Sequence, residues 1–399
     1  MVPASSLIAA AGWSTKADAL RAGREAAEGA LARLPSARPR LALAFGSSWF
    51  DQPMLLKGLR SVVGEIPLIG GSTAGEITPE GPVSHSCVVL LLASDALTCS
   101  IGVGSAAHQR PREAGQKAAY AAVQGFHGGQ RVGFLLFGDG LVTGYADVVR
   151  GLQEVLGTNA LIVGGMAGDD LRFSETFQYA DDRVISHGLV GALLGGQVAV
   201  GVGIEHGFAP ISKPRRITRA QANVLFELDR LPAASVYDEY FGTELIGRMR
   251  NDRLTRQAVA FPLGIQHGSE QRWLLRNVVS FQPDGSLACT GEMLEGAWLQ
   301  LMIGSRQLAL EAASAAAQQA VRSVNRVSCV LVFDSVVRRT LLGPHYAAIE
   351  LERIRRTVGQ AVPVVGCYTY GEQAAFGARP VYERSLIQTG SVLVVALGT

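Results

Sequence analysis

Three stretches of the chain place the same residue types at nearly the same spacing: "PLIGGSTAGEI" (Pro67 to Ile77), "ALIVGGMAGDD" (Ala160 to Asp170) and "PVVGCYTYGEQ" (Pro363 to Gln373). Each runs from a short apolar strand through a glycine pair, or Gly-Cys, into a few small or polar residues. Each then reaches glycine followed by an acid. Glycine lets backbone N–H groups approach a ligand closely, and successive N–H groups form a concavity for an anion. A carboxylate beside such a nest repels phosphate and suits an ammonium or a hydroxyl. Glu76, Asp169 and Glu372 therefore have the chemistry to hold an amino acid together with backbone amides. Ser72, Thr73, Thr369, Tyr370 and Gly371 complete the loop walls. The competing reading is structural, in which the acids cap the following turns or pair with arginine inside the fold.

A second group stands where the preceding apolar runs end. "FGDG" sets Asp139 between two glycines at a strand end, a common place for a ligand and equally for a turn. Arg338 and Arg339 follow the strand that ends at Phe333. An arginine there suits a ligand carboxylate, which its planar fork bonds at two points, or an acid of the fold. Ser47 and Asp334 share this placement. Nucleophilic catalysis needs Ser or Cys beside a base. "GSS" at Gly46 is not the G-x-S-x-G elbow, so Cys367 is the sharpest candidate, set against its reading as a small core residue. None of the seven histidines pairs at metal-ligand spacing. One axial histidine suffices for a haem, and His345 and His206 are the candidates. No loop matches a P-loop or a dinucleotide fingerprint, so nucleotide binding is not expected.

The elements that must position these residues repeat as well. "LALAFGSSWF" (Leu41 to Phe50), "VGFLLFGDGL" (Val132 to Leu141) and "SCVLVFDSVV" (Ser328 to Val337) are apolar runs that reach Phe and then Gly or Asp. Such runs suit buried strands. Between each run and its loop, apolar residues recur at helical spacing: Leu55, Leu59 and Val62; Val148, Leu152 and Val155; Ala347, Leu351, Ile354 and Val358. A further helix is expected before each unit, over Ser14 to Leu34, Pro111 to Gln124 and Ser305 to Ser323. Strand–helix–strand units favour parallel pairing, with ligands outside the carboxyl ends of the strands. The fold class is α/β, with repeated strand–helix–strand units in mixed sheets flanked by helices, in two domains. The expected division is a helical lead-in over 1–37, an N-terminal domain over 38–235 and a C-terminal domain over 236–399. "GLVGALLGGQVAVGVGI" (Gly188 to Ile204) reads as a β-hairpin turning at Gly195-Gly196.

Bulk composition narrows the function classes. Hydrophobic residues at 48% against 18% charged suit a folded core and argue against disorder. With 36 Lys and Arg against 34 Asp and Glu, no concentrated basic surface for nucleic acid is expected. The five cysteines form no C-x-x-C pair, so neither a zinc site nor a disulfide framework is expected, and a reducing cytoplasm is the natural compartment. The start of the chain lacks the basic region of a signal peptide. The most membrane-like stretch, Gly188 to Ile204, falls short of the roughly 20 residues a span needs. A soluble protein without a membrane span is therefore expected.

The layout resembles the FIST family. The N-terminal resemblance rests on "IGGSTAGEI", "FGDG", "IVGGMAGDD" and "GFAPISKPRRITRAQANVLFELDRLPAASVYDEY". The C-terminal resemblance rests on "RNVVSFQPDGSLACTGEM", "VFDSVVRRTLLG" and "VGCYTYGEQAAFG". It covers nearly the whole chain after about residue 38. The family's C-terminal end often carries a His-Asn-Gln-Thr-like strand start, where this chain has "SLIQTGSVLVV". The resemblance implies a sensory module for a small ligand, amino acids among them, rather than an enzyme. Some bacterial members resemble haem-binding nitric-oxide sensors that regulate histidine kinases or cyclic-di-GMP enzymes, which gives the alternative reading. The chain shows no attached kinase, cyclase or methyl-acceptor region, so an output through a separate partner is expected.

Overall fold

The computed structural model describes residues 6–34, 37–242, 259–267, 272–375 and 386–399. Three units follow one order of strand, helix, strand, helix, strand, two-stranded arm, strand. The first comprises β1 (Ile8–Ser14), α1 (Ala19–Ala32), β2 (Leu41–Ser47), α2 (Gln52–Val63), β3 (Leu68–Thr73), the arm β4 (Glu76–Thr78) and β5 (Gly81–Val83), and β6 (Cys87–Ala93). The second comprises β7 (Leu97–Gly104), α3 (Pro111–Gln124), β8 (Arg131–Gly138), α4 (Tyr145–Leu156), β9 (Ile162–Met166), the arm β10 (Phe177–Ala180) and β11 (Arg183–Ser186), and β12 (Leu189–Gly196). The third starts at β13 (Ala199–Glu205). After an inserted region it resumes with α5 (Arg306–Val321), β14 (Val327–Ser335), α6 (Val336–Val358), β15 (Val364–Thr369), the arm β16 (Glu372–Ala374) and β17 (Leu386–Gln388), and β18 (Val392–Gly398).

The strands joined by a helix pair in parallel, β2 with β3, β8 with β9 and β14 with β15, as the helical crossovers predict. Each unit keeps four strands for its own sheet and lends its arm to another. The sheet orders are β1-β6-β2-β3-β10-β11, β17-β16-β9-β8-β12-β7 and β13-β18-β14-β15-β4-β5. The first unit's arm joins the third sheet, the second's joins the first, and the third's joins the second. The exchange is cyclic.

Phenylalanine at one step of each unit explains the core. Phe45, Phe137 and Phe333 stand opposite Gly71, Gly165 and Cys367 in the three parallel pairs. Their rings meet in the middle with centroids 5.7, 6.0 and 6.5 Å apart. The small residues opposite make the room. A Cβ on Gly71 would come 2.7 Å from the Phe137 ring, and one on Gly165 would come 2.8 Å from the Phe333 ring. The preceding glycine has a different task. At Gly70, Gly164 and Gly366 a Cβ would lie 1.8 Å from a carbonyl oxygen of the neighbouring strand, that of Ala44, Leu136 or Val332. Packing thus requires the first glycine in all three copies and the second in the first two, while Cys367 takes its place in the third.

Helices cover the outer faces. Leu55 and Leu59, Val148 and Leu152, and Ala347, Leu351 and Ile354 are buried along them, as their spacing predicts. The α1 and α2 N-termini are capped by Asp18 and Asp51, which accept from Arg21 N and Met54 N, and α5 by Ser305, which accepts from Leu308 N.

Two local expectations fail. The lead-in over 1–37 is not simply helical, because Ile8–Ser14 forms β1, paired along its length with β6, and the helix starts only at Ala19. The predicted hairpin over 188–204 does not form either. Both edges of β12 are taken by β7 and β8, so β13 crosses to another sheet and pairs with β18. The inserted region contributes a nine-stranded sheet from Phe208 to Gly304.

Candidate functional site

The three motif loops close on one another at the carboxyl ends of the parallel pairs. Ala74 N donates to Tyr368 O at 3.0 Å, and Tyr368 N to Gly75 O at 2.8 Å. Met166 N donates to Gly371 O at 2.8 Å, and Tyr370 N to Met166 O at 3.2 Å. Gly168 N donates to Ser72 O at 3.1 Å, and Asp170 N to Thr73 O at 3.2 Å. Six loop amides are committed to this ring, and Gly75 N donates to Thr73 Oγ1 at 3.2 Å.

The acids face inward. Glu76 accepts from the Thr73 hydroxyl, from Ser86 N at 3.0 Å and from Ser86 Oγ at 2.7 Å. Glu372 accepts from Thr369 Oγ1 at 2.8 Å and from Ser391 N at 3.1 Å. Burial raises their carboxyls to about 7 for Glu76 and about 8 for Glu372. Asp169 goes the other way. Burial pushes its carboxyl up, but hydrogen bonds from the Tyr370 hydroxyl and from Ser174 N, Phe173 N and Glu175 N outweigh that and hold it below the ordinary range. Ser72 Oγ donates to Gly168 O and accepts from Phe177 N. Ser72, Thr73, Glu76, Asp169, Thr369, Gly371 and Glu372 are all buried. A ligand arriving from solvent meets none of these side chains in this conformation. Tyr370 alone among the loop candidates is part-exposed.

Arg338 is also internal. Its guanidinium bonds Asp334 at 2.8 Å, the His206 carbonyl at 2.6 Å, the Ala309 carbonyl at 2.9 Å and Glu350. With no exposed surface and its donors spread over four partners, it is a strut between α5, α6 and β14. A ligand carboxylate has no access to it. Asp334, deep in the same network, has its carboxyl pushed well above the ordinary range by burial and by Glu350. Arg339 donates to the Ala74 carbonyl and to Ser84 Oγ, tying the first loop to the third unit.

Asp139 is buried at the end of β8 and accepts from Thr176 Oγ1 at 2.6 Å and Leu141 N at 2.9 Å. His187 places Nδ1 3.4 Å from it, with its ring 52% exposed on a surface shared with His108 at 4.8 Å.

The two haem candidates lie in different settings, His206 half-buried and His345 on the surface. His206 is pulled down to about 4 by burial and accepts from Phe208 N through Nδ1, so in the neutral ring Nε2 carries the proton. His345 is exposed on α6, edge-on to Tyr346. Among the described residues no His, Cys, Asp and Glu cluster could hold a metal ion. Cys367 is fully buried, and burial raises its thiol well above the ordinary value, which is the reverse of nucleophile activation.

What lies open at the strand ends is a face that the motif glycines did not reveal. Trp49, just past β2, is 63% exposed and lies beside His85 with ring centroids 5.2 Å apart. Arg172 sets its guanidinium 5.5 Å over the Trp49 ring and donates to Ser48 O and Ser48 Oγ. Asp170 accepts from Ser47 Oγ at 2.8 Å, Ser48 N at 3.1 Å and Ser48 Oγ at 2.7 Å. Phe173, 49% exposed, stacks on Tyr370 at 4.9 Å. The loop that carries these groups holds Asp170, Leu171 and Phe173 at φ of 54, 64 and 52°. Left-handed backbone at a non-glycine residue costs about 1–3 kcal/mol and clusters where function requires it. Among the described residues neither Asp170 nor Arg172 is ion-paired. In the sequence the only hint was aromatic and charged residues directly after two of the repeated strands, "SSWF" and "DDLRF".

Comparisons with known proteins agree with the repeat boundaries only in part. A family model of the FIST N domain matches residues 40–230, and one of the FIST C domain matches residues 233–375. Their junction falls inside the inserted sheet, whereas the third unit starts at Ala199. An uncharacterized protein of Methanocaldococcus jannaschii is 33% identical over 95 residues, 23% of this chain and 19% of that relative. Among solved structures, a cyanuric acid hydrolase from A. caulinodans matches over 98% of this chain and 99% of its own at 11% identity and a TM-score of 0.35. The PurLQS structure from Thermotoga maritima matches over 98% and 72%, at 11% identity and 0.23. Likenesses of that size carry no argument about fold or activity.

Proposed function

The chain belongs to the FIST family, whose domains are associated with small-ligand-binding signal transduction, and on that premise we propose that it senses an amino acid or a similar small zwitterion at the Trp49–Arg172 face. The observation that carries this reading is the left-handed loop, which presents a guanidinium, a carboxylate and the Phe173 ring beside Trp49, at the carboxyl ends of β2 and β9. A ligand carboxylate pairs with Arg172, its ammonium with Asp170, and its side chain lies on Trp49 or Phe173. The motif acids then act behind the face. Asp169 holds the loop through three backbone amides and passes its position to Tyr370 in the third unit. A ligand that favours one arrangement of the loop shifts the population of states, and a separate partner, of the histidine-kinase or cyclic-di-GMP-enzyme class, reads the altered surface. Among the described residues no helix is long and apolar enough to cross a membrane, and action in the cytoplasm is part of this proposal.

The test is a thermal-shift screen of the common amino acids, followed by calorimetric titration of the best one. Saturation at 100 times the dissociation constant adds about 2.7 kcal/mol of stability. The reading requires that Arg172→Gln and Trp49→Ala each weaken binding about tenfold or more, the scale of a charge-assisted bond. It fails if no amino acid shifts the melting temperature, or if both variants bind as tightly as the wild type.

A further inference from the structure

A cleft of about 350 Å³ opens at the amino end of β15, away from the strand ends that carry Trp49 and Arg172. That volume lies in the range of small-molecule sites, roughly 300–1,000 Å³. One wall is the outer edge of β1, with Ala9 and Ala11 and then Trp13. Among the described residues β1 pairs only with β6 and is the last strand of its sheet. The opposite wall is the turn from α6 into β15, with Gln360 and Pro363. Arg33 and Arg355 also line the cleft, and among the described residues no acid does.

Both arginines are held in place without a carboxylate. Arg33 donates to the Gly29 carbonyl at 2.8 Å and to the Ala11 carbonyl at 3.4 Å, with its guanidinium 5.1 Å over the Trp13 ring. Arg355, part-exposed, donates to the Thr78 carbonyl at 2.9 Å. Among the described residues neither forms an ion pair, and Glu352, one turn before Arg355, is bonded by Arg356 instead. Burial draws Arg355 below its ordinary value, with Glu352 and Glu80 only partly offsetting it. Two guanidiniums lining one concave space that no acid lines among the described residues make a site for an anion.

We propose that this cleft binds a small organic monocarboxylate with a flat apolar body. The carboxylate lies between Arg33 and Arg355, and the body packs on the alanine edge of β1, Trp13 and Pro363. The walls come from the first and third units, so an occupant bridges them. The site is separate from the zwitterion face, and either reading stands if the other fails.

Benzoate and its neutral isostere benzamide are the probes, titrated calorimetrically into the full chain. Benzoate is expected to bind saturably, and benzamide about tenfold or more weaker, the scale of losing a charge-assisted bond. Arg33→Gln and Arg355→Gln are each expected to weaken benzoate by a similar factor, while Trp49→Ala leaves it unchanged. Benzoate that does not saturate, benzamide that binds equally well, or two arginine variants that bind like the wild type would each overturn the proposal. The benzoate–benzamide comparison needs no variant, so it decides even if a substitution disturbs folding.

Discussion

The hydroxyl of Tyr370 donates to the carboxylate of Asp169, joining the third motif loop to the second, while the Tyr370 ring stacks on Phe173 with centroids 4.9 Å apart and planes 18° from parallel. Asp169 N and Leu171 N donate back to the same hydroxyl, the latter at 2.9 Å. One phenol thereby anchors the loop that presents Arg172. Tyr370→Phe keeps the stack and removes the bonds. The expected loss is about 1.5–3 kcal/mol, the usual range for a bond to a charged group, read by urea denaturation. A loss below about 0.5 kcal/mol, the scale of ordinary surface changes, would mean that the phenol does not anchor the loop.

The Arg338 strut gives a second prediction. Arg338→Met strands Asp334 and Glu350 in the core and is expected to cost about 3–5 kcal/mol. Removing the stranded acids as well, with Asp334→Leu and Glu350→Leu, should recover much of that loss. A triple variant no more stable than the single one would show that the arginine does more than satisfy those two acids.

Packing at the central rings predicts a non-additive pair. Phe333→Ala should cost about 3–5 kcal/mol, the usual range for emptying a ring from a core. Gly165→Ala should also destabilise, because its new methyl meets the Phe333 ring at 2.8 Å and Thr369 Cγ2 at 2.6 Å. In the double variant the methyl enters space that the ring has left. The two losses should then sum to more than the double variant shows, by about 0.5–3 kcal/mol.

Stability should fall as pH rises from 6.5 to 8. Glu76 and Glu372 are raised from an ordinary 4.5 to about 7 and about 8, so the folded chain keeps protons that the unfolded chain has released. Their contribution is complete below the ordinary value and is lost as pH climbs through the raised ones. His206, pulled from 6.5 to about 4, acts in the opposite sense at lower pH, where the unfolded chain takes a proton that the folded chain refuses. The window above 6.5 therefore leaves His206 out and keeps the two glutamates together with Asp334, whose buried carboxyl is also raised. Unfolding free energies measured across it should decline in the wild type and decline less steeply in the Glu76→Gln, Glu372→Gln double variant, where Asp334 alone of the three raised acids remains. An equally steep decline in the double variant would refute the assignment.

The repeat was legible because periodicity survives without any knowledge of partners. The apolar runs ending in Phe45, Phe137 and Phe333, and the helical stripes at Leu55, Val148 and Leu351, needed only local spacing. The glycine–acid motif was legible as a motif but ambiguous in purpose. The same amides and carboxylates that would cradle a ligand also serve to lock three loops together, and only the contacts of Gly71 with Phe137 or of Ala74 N with Tyr368 O decide between them. The β12–β13 hairpin was misread because sequence shows a glycine pair between strands but not that both edges of β12 are occupied. The Trp49–Arg172 pair joins residues 123 positions apart, so no window of sequence contains it.

The cyclic loan of arms has a consequence for how this chain can be divided. A cut at the junction between the two matched domains, between residues 230 and 233, would leave the N-terminal fragment holding β4 and β5 without the sheet they complete. Its second sheet would lose β16 and β17, and β13 would lose β18, its partner over seven residue pairs. Unpaired rows of that kind are templates for aggregation. The two matched domains are therefore not separate folding units, and the smallest piece expected to stay assembled is the whole three-part clasp.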